Sequence, residues 1–138
     1  MNIGGPRIVN FGQVTHRGLQ RTGNKIDELN EWANKILLQH NHICPETQSL
    51  DLLNEILSKN LNNISSDKEK NNYKVALVIK VVQKEGIDKL RLLVESFNAN
   101  LKFQYLLLAD NAYNKAACEY LIAKGVPCSD AELGQYPF

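Results

Sequence analysis

The apolar positions of this 138-residue chain recur in blocks at the three-and-four spacing of one helix face, and short polar breaks separate the blocks. Ile26, Leu29, Trp32 or Ala33, Ile36 and Leu37 mark the first helix, over about 24–39. Asn24 is its expected N-cap, and Asp27, Glu28 and Glu31 put negative charge near the positive end of its dipole. Pro45 fits the first position of a second helix over 45–59, because a missing amide costs nothing there. Its apolar face is Leu50, Leu53, Ile56, Leu57 and Leu61. The stretch NLNNISSDKEKNN over 60–72 has no apolar period and predicts the main loop, with Ser66 or Asp67 capping the next helix.

The run YKVALVIKVVQK over 73–84 carries enough β-branched residues for a buried strand. A capping segment before it and Gly86 after it favour a helix. A helix over 87–97 follows, with Leu90, Leu93, Val94 and Phe97 inward. Further helices are expected over 101–111 and 113–124, the last ended by Gly125 with Pro127 just beyond. Residues 1–23 read as an irregular arm, because Gly4, Gly5, Pro6, Gly12 and Gly18 interrupt any long helix. The expectation is an all-α single domain over 24–138, built from about three stacked helical hairpins. One hairpin cannot cover its own apolar stripe, so hairpins stack.

Composition narrows the function classes. Lys plus Arg is 16 and Asp plus Glu is 15, for a net charge of +1. Nucleic-acid binders usually carry a strong basic excess, so none is expected as a partner. The charge is uneven, however. No acidic residue precedes Asp27, while Arg7, Arg17, Arg21 and Lys25 make the first segment basic. Such an arm suits docking on an acidic partner surface. The start MNIGGPRIVNF has no apolar core of a signal peptide, and no stretch suits a bilayer span, so no membrane is expected. Three cysteines without a secretory signal fit free thiols in a cytoplasmic setting.

Residues 76–126 resemble degenerate ankyrin repeats. Leu106, Leu108 and Ala109 fall where that family's first helix carries leucine, leucine and alanine. Leu121, Ile122 and Gly125 fall where its second helix ends in a leucine run and a glycine. Leu92, Leu93, Val94 and Glu95 are similar to the ending of the preceding repeat, with Asn98 standing where glycine is expected. The Thr-Pro-Leu-His motif is absent, and the two leucine blocks stand closer together than the roughly 33 residues of a full repeat. The resemblance implies protein binding by a concave face or by loops, without catalysis. A second resemblance lies in the tail. Ser129, Asp130 and Glu132, with Tyr136 near the end, look like the polar, acidic tails of substrates of bacterial type IV secretion. It implies a small non-enzymatic effector, translocated to a host cytosol, that regulates or inhibits another effector, most specifically a ubiquitin-modifying enzyme.

Catalytic and metal chemistry find little support in the residues. His40, His42 and Cys44 form H-x-H-x-C, but the spacing matches no standard zinc finger and no fourth ligand is evident. They read as turn residues, with the histidines as possible caps of the first helix's C-terminus. Cys118, or Cys128, with His16, His40 or His42 defines an alternative cysteine-dependent enzyme, yet Cys118 sits mid-helix in a pattern that predicts burial. The glycines form no phosphate-binding loop. No catalytic residue, cofactor or metal is therefore expected.

What remains is a non-catalytic protein-binding module, a regulator of a partner enzyme. A self-associating structural protein is the further alternative, because the apolar content of 73–108 suits a twofold homodimer. The residues expected to meet a partner are Arg7, Phe11, Arg17 and Arg21 of the arm, Trp32, Tyr113, and Tyr136 and Phe138 of the tail. Aromatic and arginine side chains dominate binding energy at interfaces.

Overall fold

The β-branched run over 73–84, expected as a helix from its flanks, forms the centre of an all-helical fold. The computed structural model describes residues 16–126, with side chains from residue 25 onward. Six helices follow one another: α1 (His16–Gln39), α2 (Leu50–Asn63), α3 (Asp67–Val81), α4 (Asp88–Arg91), α5 (Phe103–Asn111) and α6 (Lys115–Ala123). A 3-10 turn, Pro45–Thr47, stands between α1 and α2, and a π-turn, Leu92–Ser96, prolongs α4. No strand occurs among the described residues.

Helix α3 is apolar around its whole circumference from Val75 to Ile79, so it is covered on every side. Helix α1 lies along it, and the 3-10 turn, α4, the π-turn and α5 also touch it. Val75, Ala76, Leu77, Val78 and Ile79 are buried within this ring. Helix α5 is similar, buried from Phe103 through Asp110. It packs against α6, as the paired-helix pattern predicts. The principal neighbour of α1 is α3 and not α2, because α3 offers the broader apolar surface. The inward face of α1 is Ile26, Leu29, Ala33 and Leu37, in the register the sequence predicts.

Four boundaries differ from expectation. Helix α1 begins at His16 and not near Asn24, so part of the expected irregular arm is helical. Gly18 and Gly23 cost about 1 kcal/mol each in a helix, which weakens one without forbidding it. Pro45 starts the 3-10 turn; α2 begins at Leu50, where the Ser49 side chain accepts from the amide of Leu52. The expected main loop over 60–72 is mostly helix, because α2 runs to Asn63 and α3 starts at Asp67. Only Ile64, Ser65 and Ser66 separate them, with Ile64 buried and Ser66 as the N-cap. The polar residues on either side occupy solvent-facing turns, where a helix needs no apolar period. Finally, Tyr113 and Asn114 precede α6 and are not its first turn.

Gly125 and Asn98 are two of the left-handed residues that turn the chain. Gly125 has φ +99, and the amide of Val126 closes on the carbonyl of Leu121, the C-cap that the sequence predicts. Asn98, standing where glycine is expected, has φ 58, a conformation asparagine tolerates better than most residues.

Candidate interaction surface

The segment joining α1 to α2 makes a hydrogen-bonded loop over a buried polar cluster. The amide of His42 turns back to the carbonyl of Leu37, at 2.9 Å, and closes the end of α1. This turn drives the His42 ring inward, where it is fully buried. Its Nδ1 lies 2.6 Å from the hydroxyl of Tyr73 on α3. Its Nε2 lies 2.8 Å from Oε1 of Gln48. Nδ2 of Asn60, on α2, donates to the Tyr73 hydroxyl at 2.9 Å and to the carbonyl of His40 at 3.2 Å.

The direction of this chain of bonds follows from its two ends. The His40 carbonyl can only accept, so Asn60 presents its amide nitrogen to it and to Tyr73. Gln48 presents Oε1, so a neutral His42 carries its proton on Nε2 and accepts from Tyr73 at Nδ1. Every polar atom is satisfied with a neutral ring. Burial holds His42 below its usual value, against an opposing pull from the Gln48 bond. Burial pushes the Tyr73 hydroxyl up to about 12, with the Asn60 bond opposing.

The connector passes through two left-handed residues, Asn41 at φ 55, which asparagine tolerates, and Cys44 at φ 54, which costs a cysteine more. Outside the cluster, the connector presents apolar groups to water. Leu38 is 64% exposed and Ile43 is 65% exposed. With Leu37, Cys44 and Lys80 they line an open groove of about 260 Å³. Leu50 and Leu52 at the start of α2 are also exposed. Leu50 lines an adjoining groove of about 240 Å³ with Lys84 and Lys89. Leu50 was expected on the inward face of α2, but it is the first residue of the helix, beyond the reach of the core.

The sequence-predicted site residues are scattered. Trp32 is half-buried and packed against the core. Tyr113 is 73% exposed at φ 60, in the turn between α5 and α6. Arg17 and Arg21 lie on the first turns of α1, ahead of the described side chains. Arg7, Phe11, Tyr136 and Phe138 lie outside the described residues. The exposed apolar pair Leu38 and Ile43 was missed. The signal was present: Ile36 and Leu37 already occupy the inward face, which turns the next residue, Leu38, off the apolar stripe.

The thiols and histidines occupy different settings. Cys118 is buried, and its thiol is pushed up to about 12 by burial and by the carboxylates of Asp110 and Glu119. Cys44 is exposed. Cys128 lies outside the described residues. The His42 ring caps no helix; both its nitrogens are engaged inside. Among the described residues no three of His, Cys, Asp and Glu are grouped to hold a metal ion. None of the described helices is long and apolar enough to cross a membrane.

A second polar contact fixes the turn after α3. The Asn114 side chain donates to the carbonyls of Val82, Lys84 and Gly86, at 3.0, 2.6 and 3.2 Å. Its oxygen accepts from the amide of Ala117 and caps α6. One buried amide thus ties the turn after α3 to the start of α6. On the surface nearby, the Tyr120 hydroxyl donates to Glu95 at 2.6 Å, and Lys124 stands 3.3 Å from the same oxygen. These bonds, with Arg91, hold the Glu95 carboxyl below the usual range.

No protein-family model, curated protein or solved structure matches the chain.

Proposed function

We propose that this protein is a non-catalytic protein-binding module whose working surface is the end of α1 and the connector that follows it. The observation that carries the reading is Leu38 and Ile43, two large apolar side chains left in water side by side on a groove. Lone exposed apolar residues are ordinary, but an adjacent pair braced by a buried hydrogen-bonded cluster resembles a prepared contact. Rigid presentation matters, because ordering a loose connector on binding would oppose affinity.

Among the described residues, Cys118 and His42 are two groups that catalysis would draw on, and both are engaged in the interior. A buried thiol with a raised pKa is a poor nucleophile. The His42 ring is engaged at both nitrogens by uncharged partners. The grooves are open and shallow, which suits a partner's surface better than a small substrate. A module of this kind acts by occupying another protein, and regulation of a partner enzyme is the role we assign to it.

Affinity capture with the wild-type chain and with the double variant Leu38→Lys, Ile43→Lys tests the reading. A stoichiometric protein retained by the first and lost with the second is expected. Equal retention by both places the contact elsewhere and overturns it.

A further inference from the structure

We infer that the connector between α1 and α2 is a proton-gated element, closed while His42 is neutral and opened when its ring takes a second proton. As regulation of the docking surface, the inference rests on the function proposed above. As a statement about residues 40–49 it does not, and its test reads those residues alone.

The geometry sets the gate. Nδ1 of His42 is the acceptor for the Tyr73 hydroxyl, and no other hydrogen-bond position on the ring is open. A proton placed on Nδ1 meets the Tyr73 hydroxyl proton. Tyr73 must then turn its proton away while still receiving from Asn60. Its hydroxyl is surrounded by Asn60, His42 and the rim of the His40 ring, whose centroid lies 4.9 Å from the tyrosine's. One buried donor loses its acceptor, and the cationic ring has no carboxylate bonded to it. Both losses fall on a fully buried side chain, where neither is compensated by water.

The groups around the ring are few. From α1 and its end, His40 faces the same tyrosine. From α2 there is uncharged Asn60, and from α3 Tyr73, with Lys80 lining the groove beyond. From the connector come Gln48, Cys44 and Glu46. The Gln48 bond favours a charged ring, and on the groove beyond the Glu46 carboxylate and the Lys80 ammonium act in opposite senses. The Glu46 backbone carbonyl is also held from outside by Lys89 at 2.8 Å.

Release frees Cys44 from its left-handed backbone and hydrates the imidazolium. The core face of α1 against α3 ends at Leu37, so opening leaves α1 in place and lifts only the 3-10 turn, with its buried Pro45, from α3. Opening would displace Ile43 from Leu38 and dissolve the apolar pair.

The test is amide hydrogen exchange on the full chain between pH 8 and pH 5, corrected for intrinsic exchange, with His42 ring protonation followed by NMR in the same samples. The amides of His42, Thr47 and Gln48 are bonded in the closed form and report opening. Below the ordinary histidine value of about 6.5, their opening is expected to rise by up to tenfold per pH unit, as a one-proton linkage requires. Amides inside α3 and α5 should keep their protection. In the variant His42→Gln the dependence should disappear, whether the connector is then closed or open. Protonation of His42 with connector protection unchanged would overturn the inference. So would loss of protection across all helices at once, or the same pH dependence in His42→Gln.

Discussion

The Tyr73 hydroxyl sits 2.6 Å from Nδ1 of His42, and this contact joins the central helix to the connector that carries the exposed apolar pair. Both residues are fully buried. Tyr73 serves as acceptor for Asn60 and donor for His42, so it links α2, α3 and the connector through one oxygen.

Removing that oxygen leaves buried Nδ1 of His42 without a partner and takes from Nδ2 of Asn60 one of its two acceptors. Tyr73→Phe is expected to destabilise the protein by about 1–3 kcal/mol, the range for orphaned buried groups. The volume of the ring is kept, so the loss is attributable to the bonds and not to packing. Urea unfolding of the two proteins measures it. An unchanged midpoint would mean that the cluster contributes nothing to stability.

The pH dependence of global stability follows from the direction of the His42 shift. The ring has a lower pKa folded than unfolded, so the unfolded state binds more protons between those two values. Stability is therefore fully present above the unfolded value of about 6.5 and is lost as pH falls from there toward the folded value. The slope from this residue is at most about 1.4 kcal/mol per pH unit. Urea midpoints from pH 8 to pH 5 check it, with His42→Gln as the control that should lose this component.

Asn114 is expected to be among the costliest polar residues to lose. Asn114→Ala removes the cap of α6 and three bonds to the turn after α3. A cap alone contributes about 1 kcal/mol, and the buried carbonyl of Val82 is left unpaired. A loss of about 2–3 kcal/mol is the expected sum. Asn114→Asp keeps the cap but sets a carboxylate against three carbonyl oxygens, so it should not rescue stability. Thermal or urea unfolding separates the two variants from wild type.

The thiols should react in a fixed order. Cys44 is exposed and Cys118 is buried with its thiol pushed up to about 12. Iodoacetamide at neutral pH should label Cys44 in the native protein and reach Cys118 only on unfolding. Peptide mass spectrometry of the labelled protein reads both sites. Rapid native labelling of Cys118 would contradict its burial and reopen a cysteine-based reading.

The sequence carried the helices more clearly than their ends. The faces of α1 and α3 were legible because burial imposes a period, or in α3 the absence of one, on the side chains. The Gly125 cap was legible because glycine tolerates positive φ. The stretch 60–72 misled, because solvent-facing helix turns can be built from asparagine, lysine and acidic residues when Ile64 anchors the turn between α2 and α3. His42 was read as a turn residue, and it does occupy a turn. Its buried role depends on Tyr73 and Asn60, which lie 31 and 13 positions away from a bonded partner in the cluster, beyond any local pattern. The exposed Leu38 was visible as the residue after Ile36 and Leu37, but only a fold shows how far it stands in water.

The claim on which the function rests is that Leu38 and Ile43 meet another protein. The most direct measurement places a photo-reactive residue at position 43, and separately at the exposed Lys115 of α6, in otherwise unaltered chains, and analyses the cross-linked products by mass spectrometry. Efficient cross-linking at position 43 to one partner protein, with little at position 115, is the predicted result. Products at position 115 alone, or none at position 43 where wild-type chain retains the same partner, would contradict it.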